Sequence, residues 1–332
     1  MGSRISKIAY YLPRQILDNS QLSSEFPEWD SEKIAEKTGI KRRHISAKDE
    51  TSLDMAYEAS KKVFAEFDKN SIDFIVLCTQ SPDYFLPTSA CILQDRLKLR
   101  NNTGALDINL GCSGYIYGLA VSKGLINSNI SKNVLLVTSE TYSKYIHPKD
   151  KSNRSIFGDG AAATIISYSK SEHIYEFELG TDGSGMHNLI VRKGAIKHRS
   201  DFSEVDRFDE SGNVLNDNNL YMNGPNIFNF TIKNVPSLVD SVLKRNNMLL
   251  DDIDYVIFHQ ANKFILDYLR KKSKIPVEKF YQDMEDTGNT VSATIPIALK
   301  NTLNSNTVKI GNKILLVGFG VGYSWGATII EI

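Results

Sequence analysis

The stretch Ile72-Asp73-Phe74-Ile75-Val76-Leu77 has a counterpart far down the chain, Ile253-Asp254-Tyr255-Val256-Ile257-Phe258. Each is a short apolar run that follows a segment of helical pattern, residues 52–67 in the first case and 227–245 in the second. Sixty-two residues after Ile72 comes Val134-Leu135-Leu136-Val137, and 61 residues after Ile253 comes Ile314-Leu315-Leu316-Val317. Buried strands resemble one another, so either match alone carries no weight. Two matches in the same order at the same spacing point to an internal duplication. The runs show no polar alternation, which suits strands covered on both faces. Helices between such strands make a layered α/β architecture. We therefore expect two halves, residues 1–170 and 171–332, packed about a pseudo-twofold axis. Their boundary should fall within 170–220, where a strand-like segment, 173–179, precedes a polar stretch, 200–219, expected to be an exposed excursion.

Composition narrows the function classes. The 332 residues are 41% hydrophobic and 23% charged, an ordinary globular balance that excludes a mainly disordered chain. Lys+Arg and Asp+Glu both number 39, so the net charge is zero, unlike a protein that coats nucleic acid. No apolar run approaches the ~20 residues of a membrane helix. The first residues, Ile5-Ser6-Lys7-Ile8-Ala9-Tyr10-Tyr11, read as a strand and not as a signal peptide. Met1-Gly2-Ser3-Arg4-Ile5-Ser6 fits the short myristoylation template, but it runs straight into that strand. Three cysteines, Cys78, Cys91 and Cys112, cannot build a disulfide framework, and no CxxC pair offers a metal site. The expectation is a cytoplasmic α/β protein with reduced thiols and no metal.

Ala105-Leu106-Asp107-Ile108-Asn109-Leu110-Gly111-Cys112-Ser113-Gly114 reads as a strand and a tight turn, with a helix over 115–122. Cys112 thus falls at a helix N-terminus, where free amides and the helix dipole favour a thiolate. A small buried cysteine is the bland alternative. It suits Cys78, in an apolar strand, and Cys91, in an apolar helical segment. In the second half, Thr287-Gly288-Asn289-Thr290 precedes a helical run, 292–303, so Asn289 occupies the position that Cys112 holds in the first. His259 ends the strand 255–258, and ligands of α/β sheets gather beyond strand ends. Asn289 could equally be a helix cap, and His259 a satisfied buried histidine. The other five histidines lie in polar surroundings. Cys, His, Asn is also the order in papain-like proteases, but that family's Cys-Gly-Ser-Cys-Trp segment is absent.

Taken together, Thr38-Gly39-Ile40-Lys41-Arg42-Arg43-His44-Ile45, Gly111-Cys112-Ser113-Gly114, Phe157-Gly158-Asp159-Gly160-Ala161, His259-Gln260-Ala261-Asn262, Gly288-Asn289-Thr290 and Ser324-Trp325-Gly326 resemble the thiolase superfamily, specifically β-ketoacyl-ACP synthase III. The resemblance runs nearly end to end. It implies a five-layered α/β/α/β/α sandwich of two pseudo-twofold halves. It also implies a two-step reaction: Cys112 takes an acyl group from a thioester, and a malonyl-type thioester then decarboxylates and attacks it. His259 and Asn289 would act as two neutral donors to the enolate oxygen. The amides of Cys112 and Val321 would form the acyl oxyanion hole; Val321 stands where the family has a glycine. Phe319 would lie between the thiol and the malonyl group. No cofactor is implied beyond the acyl-CoA or acyl carrier protein thioesters themselves.

The same resemblance locates departures at the substrate entrance. Lys33 stands where relatives stack the CoA adenine on a tryptophan, with Trp29 four residues away. Lys151 replaces an arginine, with Arg154 nearby, and Phe264 replaces another, beside Lys263. Leu86 replaces a phenylalanine that limits the acyl pocket, and it sits in a segment, Asp83-Tyr84-Phe85-Leu86-Pro87, that reaches a partner chain in the family's homodimers. Lys33, Lys37, Lys151, Arg154 and Lys263, with Lys41 and Arg42, would receive an acidic carrier protein or CoA phosphates. The competing functions are a cysteine acyltransferase that passes the acyl group to an alcohol or amine, and a non-catalytic partner subunit.

Overall fold

The apolar runs at 74–77 and 314–317 are interior strands of two separate five-stranded sheets. A computed structural model describes residues 2–199, 205–305 and 308–332. The first sheet runs in the order Gly2–Tyr11, Gly160–Ser169, Asn133–Glu140, Phe74–Cys78, Gly104–Ile108. The second runs Glu178–Thr181, Ser324–Glu331, Lys313–Gly320, Tyr255–Phe258, Phe280–Tyr281. The two orders correspond strand for strand, and so do the directions: two antiparallel pairings, then two parallel ones. Phe74 pairs with Val134 and Tyr255 with Ile314, so the duplicated spacing in the sequence is the register of two equivalent parallel pairs.

Helices Gly114–Asn127 and Thr294–Asn304 pack between the sheets, while Ser52–Phe64 and Ser89–Arg96 cover the outside of the first and Gly224–Arg245 the outside of the second. The buried apolar residues fall into three large clusters, one between the sheets and one outside each. Local signals start the outer helices. Thr51 Oγ1 accepts from the Asp54 amide at 3.2 Å while Asp54 Oδ2 accepts from the Thr51 amide at 3.0 Å, a reciprocal cap. Asn223 caps the long helix by accepting from the Asn226 amide at 3.0 Å.

Three expectations need correction. Cys91 is exposed, because its short helix lies at the edge of the first sheet and turns that side chain outward. The segment 173–179 contributes only a bridge at Ile174 before the strand Glu178–Thr181. The expected excursion at 200–219 is only partly exposed. Residues 200–204 lie outside the described ones. Beyond them Arg207–Phe208 pairs with Val214–Leu215, and Val214 is buried. The following strand, Leu220–Met222, pairs with Leu189–Val191 and brings Leu220 into the apolar cluster around Cys112.

Candidate active site

Cys112 lies in the turn between the strand Gly104–Ile108 and the inner helix Gly114–Asn127, with 5% of its surface accessible. The C-terminal end of the strand Lys313–Gly320 presses against it. A β-carbon on Gly320 would stand 2.7 Å from Cys112 Sγ, so only glycine admits this approach. The main-chain amides of Val321 and of Cys112 itself lie near the sulfur and favour its ionised form. Tyr142, Phe157, Leu189, Leu220 and Val291 complete an apolar surround. That burial pushes the thiol up to about 12, outweighing the two amides. Burial and the helix terminus thus act on the thiol in opposite directions.

His259 and Asn289 lie side by side, and Val291, two residues past Asn289, packs in the apolar cluster around Cys112. His259 follows the strand Tyr255–Phe258, held by its amide donating to the Val317 carbonyl at 2.7 Å. Burial lowers its pKa to about 3, so the ring is neutral. Asn289 ties the halves together: its amide donates to the Ile156 carbonyl at 2.9 Å, and its carbonyl accepts from the Gly158 amide at 3.0 Å. It precedes a short turn, Val291–Ala293, and the inner helix Thr294–Asn304. Its side-chain Nδ2 lies 3.5 Å from His259 Nε2. Phe319 is buried with its ring edge-on to His259, centroids 5.7 Å apart.

Two features escaped the sequence reading. Glu140, at the end of the central strand Asn133–Glu140, is fully buried and has no cationic partner among the described residues. Its oxygens accept from the Gln80 amide at 3.0 Å, Ser81 Oγ at 3.1 Å and Ser292 Oγ at 2.8 Å. Burial raises its pKa to about 8. Thr294, the first residue of the inner helix, has Oγ1 2.7 Å from His259 Nδ1. The available signals were an acidic residue closing an apolar strand and a hydroxyl five residues beyond Asn289. Neither signals burial by itself.

Of the entrance residues, Lys33, Lys37, Lys263 and Phe264 line one surface cleft. Lys33 and Lys37 line a cleft of about 400 Å³ together with Trp29, Asn262 and Phe264. Lys151, Arg154 and Lys263 are each already paired: Lys151 Nζ with Glu28 at 2.9 Å, Arg154 with Glu25 at 2.5 Å, and Lys263 with Asp267. Lys41 and Arg42 pair with Glu285 and Asp286. The basic set is thus largely neutralised by acids remote in sequence. Lys151 Nζ also stands 5.9 Å over the Trp29 ring. Leu86 lies on the surface, 82% exposed, next to Tyr84 at 62% and Phe85 at 65%. Among the described residues, no cluster of His, Cys, Asp and Glu could hold a metal ion, and no helix is long and apolar enough to cross a membrane.

Two family models match the chain: 3-oxoacyl-[acyl-carrier-protein (ACP)] synthase III over residues 106–183, and the C-terminal part of the same enzyme over 243–332. The β-ketoacyl-[acyl-carrier-protein] synthase III of Clostridium perfringens is 39% identical over 325 residues, 97% of each chain. The chain belongs to the β-ketoacyl-ACP synthase III family. The enzyme of that name from Streptococcus equi subsp. zooepidemicus is 35% identical over 99% of each chain. A crystal structure of a 3-oxoacyl-(acyl-carrier-protein) synthase III superposes with a TM-score of 0.98 at 47% identity, covering both chains fully. The Burkholderia xenovorans synthase superposes at 0.92 and 34% identity, over all of this chain and 94% of that one. The fold is accordingly the thiolase-like sandwich of that family.

Proposed function

We propose that the chain is a condensing enzyme in which Cys112 carries the acyl group and His259 and Asn289 serve the decarboxylative step. What supports this reading is that His259 and Asn289 lie side by side, that Val291, two residues past Asn289, packs in the apolar cluster around Cys112, and that all this sits in a β-ketoacyl-ACP synthase III fold. In the first step the Cys112 sulfur attacks the donor thioester carbonyl. The donor C–S bond breaks, the donor thiol leaves with a proton, and acyl-Cys112 remains. The Cys112 and Val321 amides, both close to the sulfur, suit the oxygen of the tetrahedral intermediate. In the second step the malonyl-type thioester loses CO2, and the carbanion attacks acyl-Cys112. A β-ketoacyl thioester leaves, and the Cys112 thiolate takes up a proton from water to restore the thiol. Phe319, against His259, bounds the space for the malonyl group.

The donor reaches this site through the cleft at Trp29, Lys33, Lys37, Asn262 and Phe264, and acyl carrier protein is favoured over CoA. Lys33 offers no flat face for an adenine, and Lys151 already covers the Trp29 ring. Lys33 and Lys37 form no ion pair among the described residues, and their charges suit an acidic carrier. The halves 1–170 and 171–332 form one catalytic unit. The exposed Tyr84-Phe85-Leu86 segment supports a homodimer in which it is covered. Free thiols suit the cytoplasm. The test is stoichiometry with an acyl donor and a malonyl thioester. One CO2 per β-ketoacyl thioester is expected, both absent in Cys112→Ala; acyl transfer to an alcohol or amine without CO2 would contradict the reading.

A further inference from the structure

Two rungs tie the segment before the helix Ser31–Thr38 to the short helix Lys151–Arg154. Arg154 meets the Glu25 carboxylate with both terminal nitrogens, at 2.5 and 3.1 Å, and lies 5.6 Å over the Phe26 ring. Lys151 Nζ donates to Glu28 Oε1 at 2.9 Å and lies 5.9 Å over the Trp29 ring. An acid and the aromatic after it thus recur three residues on, while the cation recurs three residues back. The two segments cross antiparallel, with the same three partners on each rung. The rungs face different surroundings. Glu25 and Arg154 border a separate hollow with Ile16 and Phe157, and Arg154 is also held by the Pro148 carbonyl at 2.6 Å. Glu28 and Trp29 border the entrance cleft, with Lys33, Ser152 and Ser155. The Arg154 rung fastens the segment; the Lys151 rung lies on the donor's path. The Lys151 side chain is only 12% accessible, so its charge is committed to the ring and the carboxylate and not to water. An ammonium on an aromatic face and a stacked base compete for the same face.

We propose that Glu28 is a specificity-determining residue: it holds the Lys151 ammonium on the Trp29 ring and so denies that ring to the adenine of CoA. The inference rests on the reading that the donor enters by this cleft, and deepens it by naming the side chain that sets the choice of donor. The cleft has a flat aromatic face of the kind that takes a base, and a neighbouring acid fills that face with the protein's own cation. A phosphopantetheine borne by a carrier has no base and needs no such face. Its phosphate still finds Lys33 and Lys37 in the same cleft. Removing the Glu28 carboxylate removes the hydrogen bond that aims Lys151 Nζ. A strongly hydrated ammonium on a flexible stem then returns to water and uncovers the ring.

The experiment compares the full-length wild type with Glu28→Gln and Lys151→Ala. The two substitutions change the local charge in opposite senses, yet both uncover Trp29. The rates of acyl-Cys112 formation from one acyl group carried on CoA and on pantetheine give a ratio. It should rise ~10-fold or more in both variants, the scale of one stacked base, and Trp29→Ala added to either should abolish the rise. Adenosine, which carries no charge, should quench tryptophan fluorescence in both variants at concentrations that leave wild type unchanged, and the quenching should vanish with Trp29→Ala. Strong quenching in wild type, or an unchanged ratio in both variants, would overturn the proposal. So would a ratio that rises in Glu28→Gln and falls in Lys151→Ala, or a rise that survives Trp29→Ala, because charge alone would then explain it. No acyl-Cys112 from any donor would instead overturn the functional reading, and the adenosine titration would still decide whether Glu28 covers the ring.

Discussion

Cys112, Cys78 and Cys91 separate at the scale of single residues. Cys112 lies at a helix start in an apolar surround, with the end of the strand Lys313–Gly320 against its side chain. Cys78 is buried in its strand with its sulfur on the Leu110 carbonyl at 3.0 Å, and Cys91 faces solvent. Exposing the protein to an acyl thioester should therefore acylate Cys78→Ala and Cys91→Ala as wild type, and leave Cys112→Ala unlabelled by mass spectrometry. An adduct on Cys91 in the Cys112→Ala background, formed at the wild-type rate, would contradict this. Asn289→Ala removes the donor to the enolate and should lower condensation ~100-fold or more, the usual cost of one oxyanion donor. Its loading step should change far less. His259→Ala should likewise lower condensation more than loading. Rapid-quench measurement of acyl-enzyme formation separates the two steps in both variants.

At the scale of elements, the Glu140 carboxylate closes the central strand of one half and accepts from Ser292, at the turn before the inner helix of the other. Its pKa of about 8, against the ordinary 4.5, means that the folded protein holds this proton where the unfolded chain has released it. The associated stability is full below pH ~4.5 and is lost as pH rises to about 8. His259 acts in the opposite sense. With a folded pKa of about 3, it contributes stability that is complete above ~6.5 and lost on acidification. Glu140→Gln should lose the alkaline decline between pH 6.5 and 8, read as midpoint of urea unfolding at each pH, while keeping the acid decline. A parallel pair of curves for wild type and Glu140→Gln would contradict the assignment. The entrance cleft makes a separate prediction. A stacked base is worth ~1–3 kcal/mol, so without one CoA should be a ~10–100-fold poorer donor than acyl carrier protein in kcat/KM. The carrier's advantage should shrink with salt, since exposed charges are screened over ~8–10 Å at 0.1–0.15 M. Trp29→Ala that selectively lost CoA activity would place the adenine on Trp29 instead.

Across the whole molecule, the duplication was legible because central strands of a doubly covered sheet are apolar throughout, and their register repeats with the chain spacing. Cys112, His259 and Asn289 were legible because turns and strand ends are local features. Glu140 and Thr294 were not: a polar residue at a strand end or helix start is usually solvated, and only the packing of one half on the other buries these two. The pairing of the entrance cations was hidden for the same reason, since Glu25 and Glu28 reach Arg154 and Lys151 from more than 120 residues away. Tyr84, Phe85 and Leu86 leave an apolar surface that a second copy would cover. Light scattering should give twice the chain mass, and a monodisperse monomer would leave that segment without a role. The central claim is that Cys112 hands its acyl group to a decarboxylating malonyl thioester. It is tested most directly by loading the protein with an isotopically labelled acyl group and adding unlabelled malonyl-acyl carrier protein. The label on the Cys112 peptide should disappear at the rate at which labelled β-ketoacyl thioester and CO2 appear. Label that stays on Cys112, or that leaves without CO2, would contradict the account.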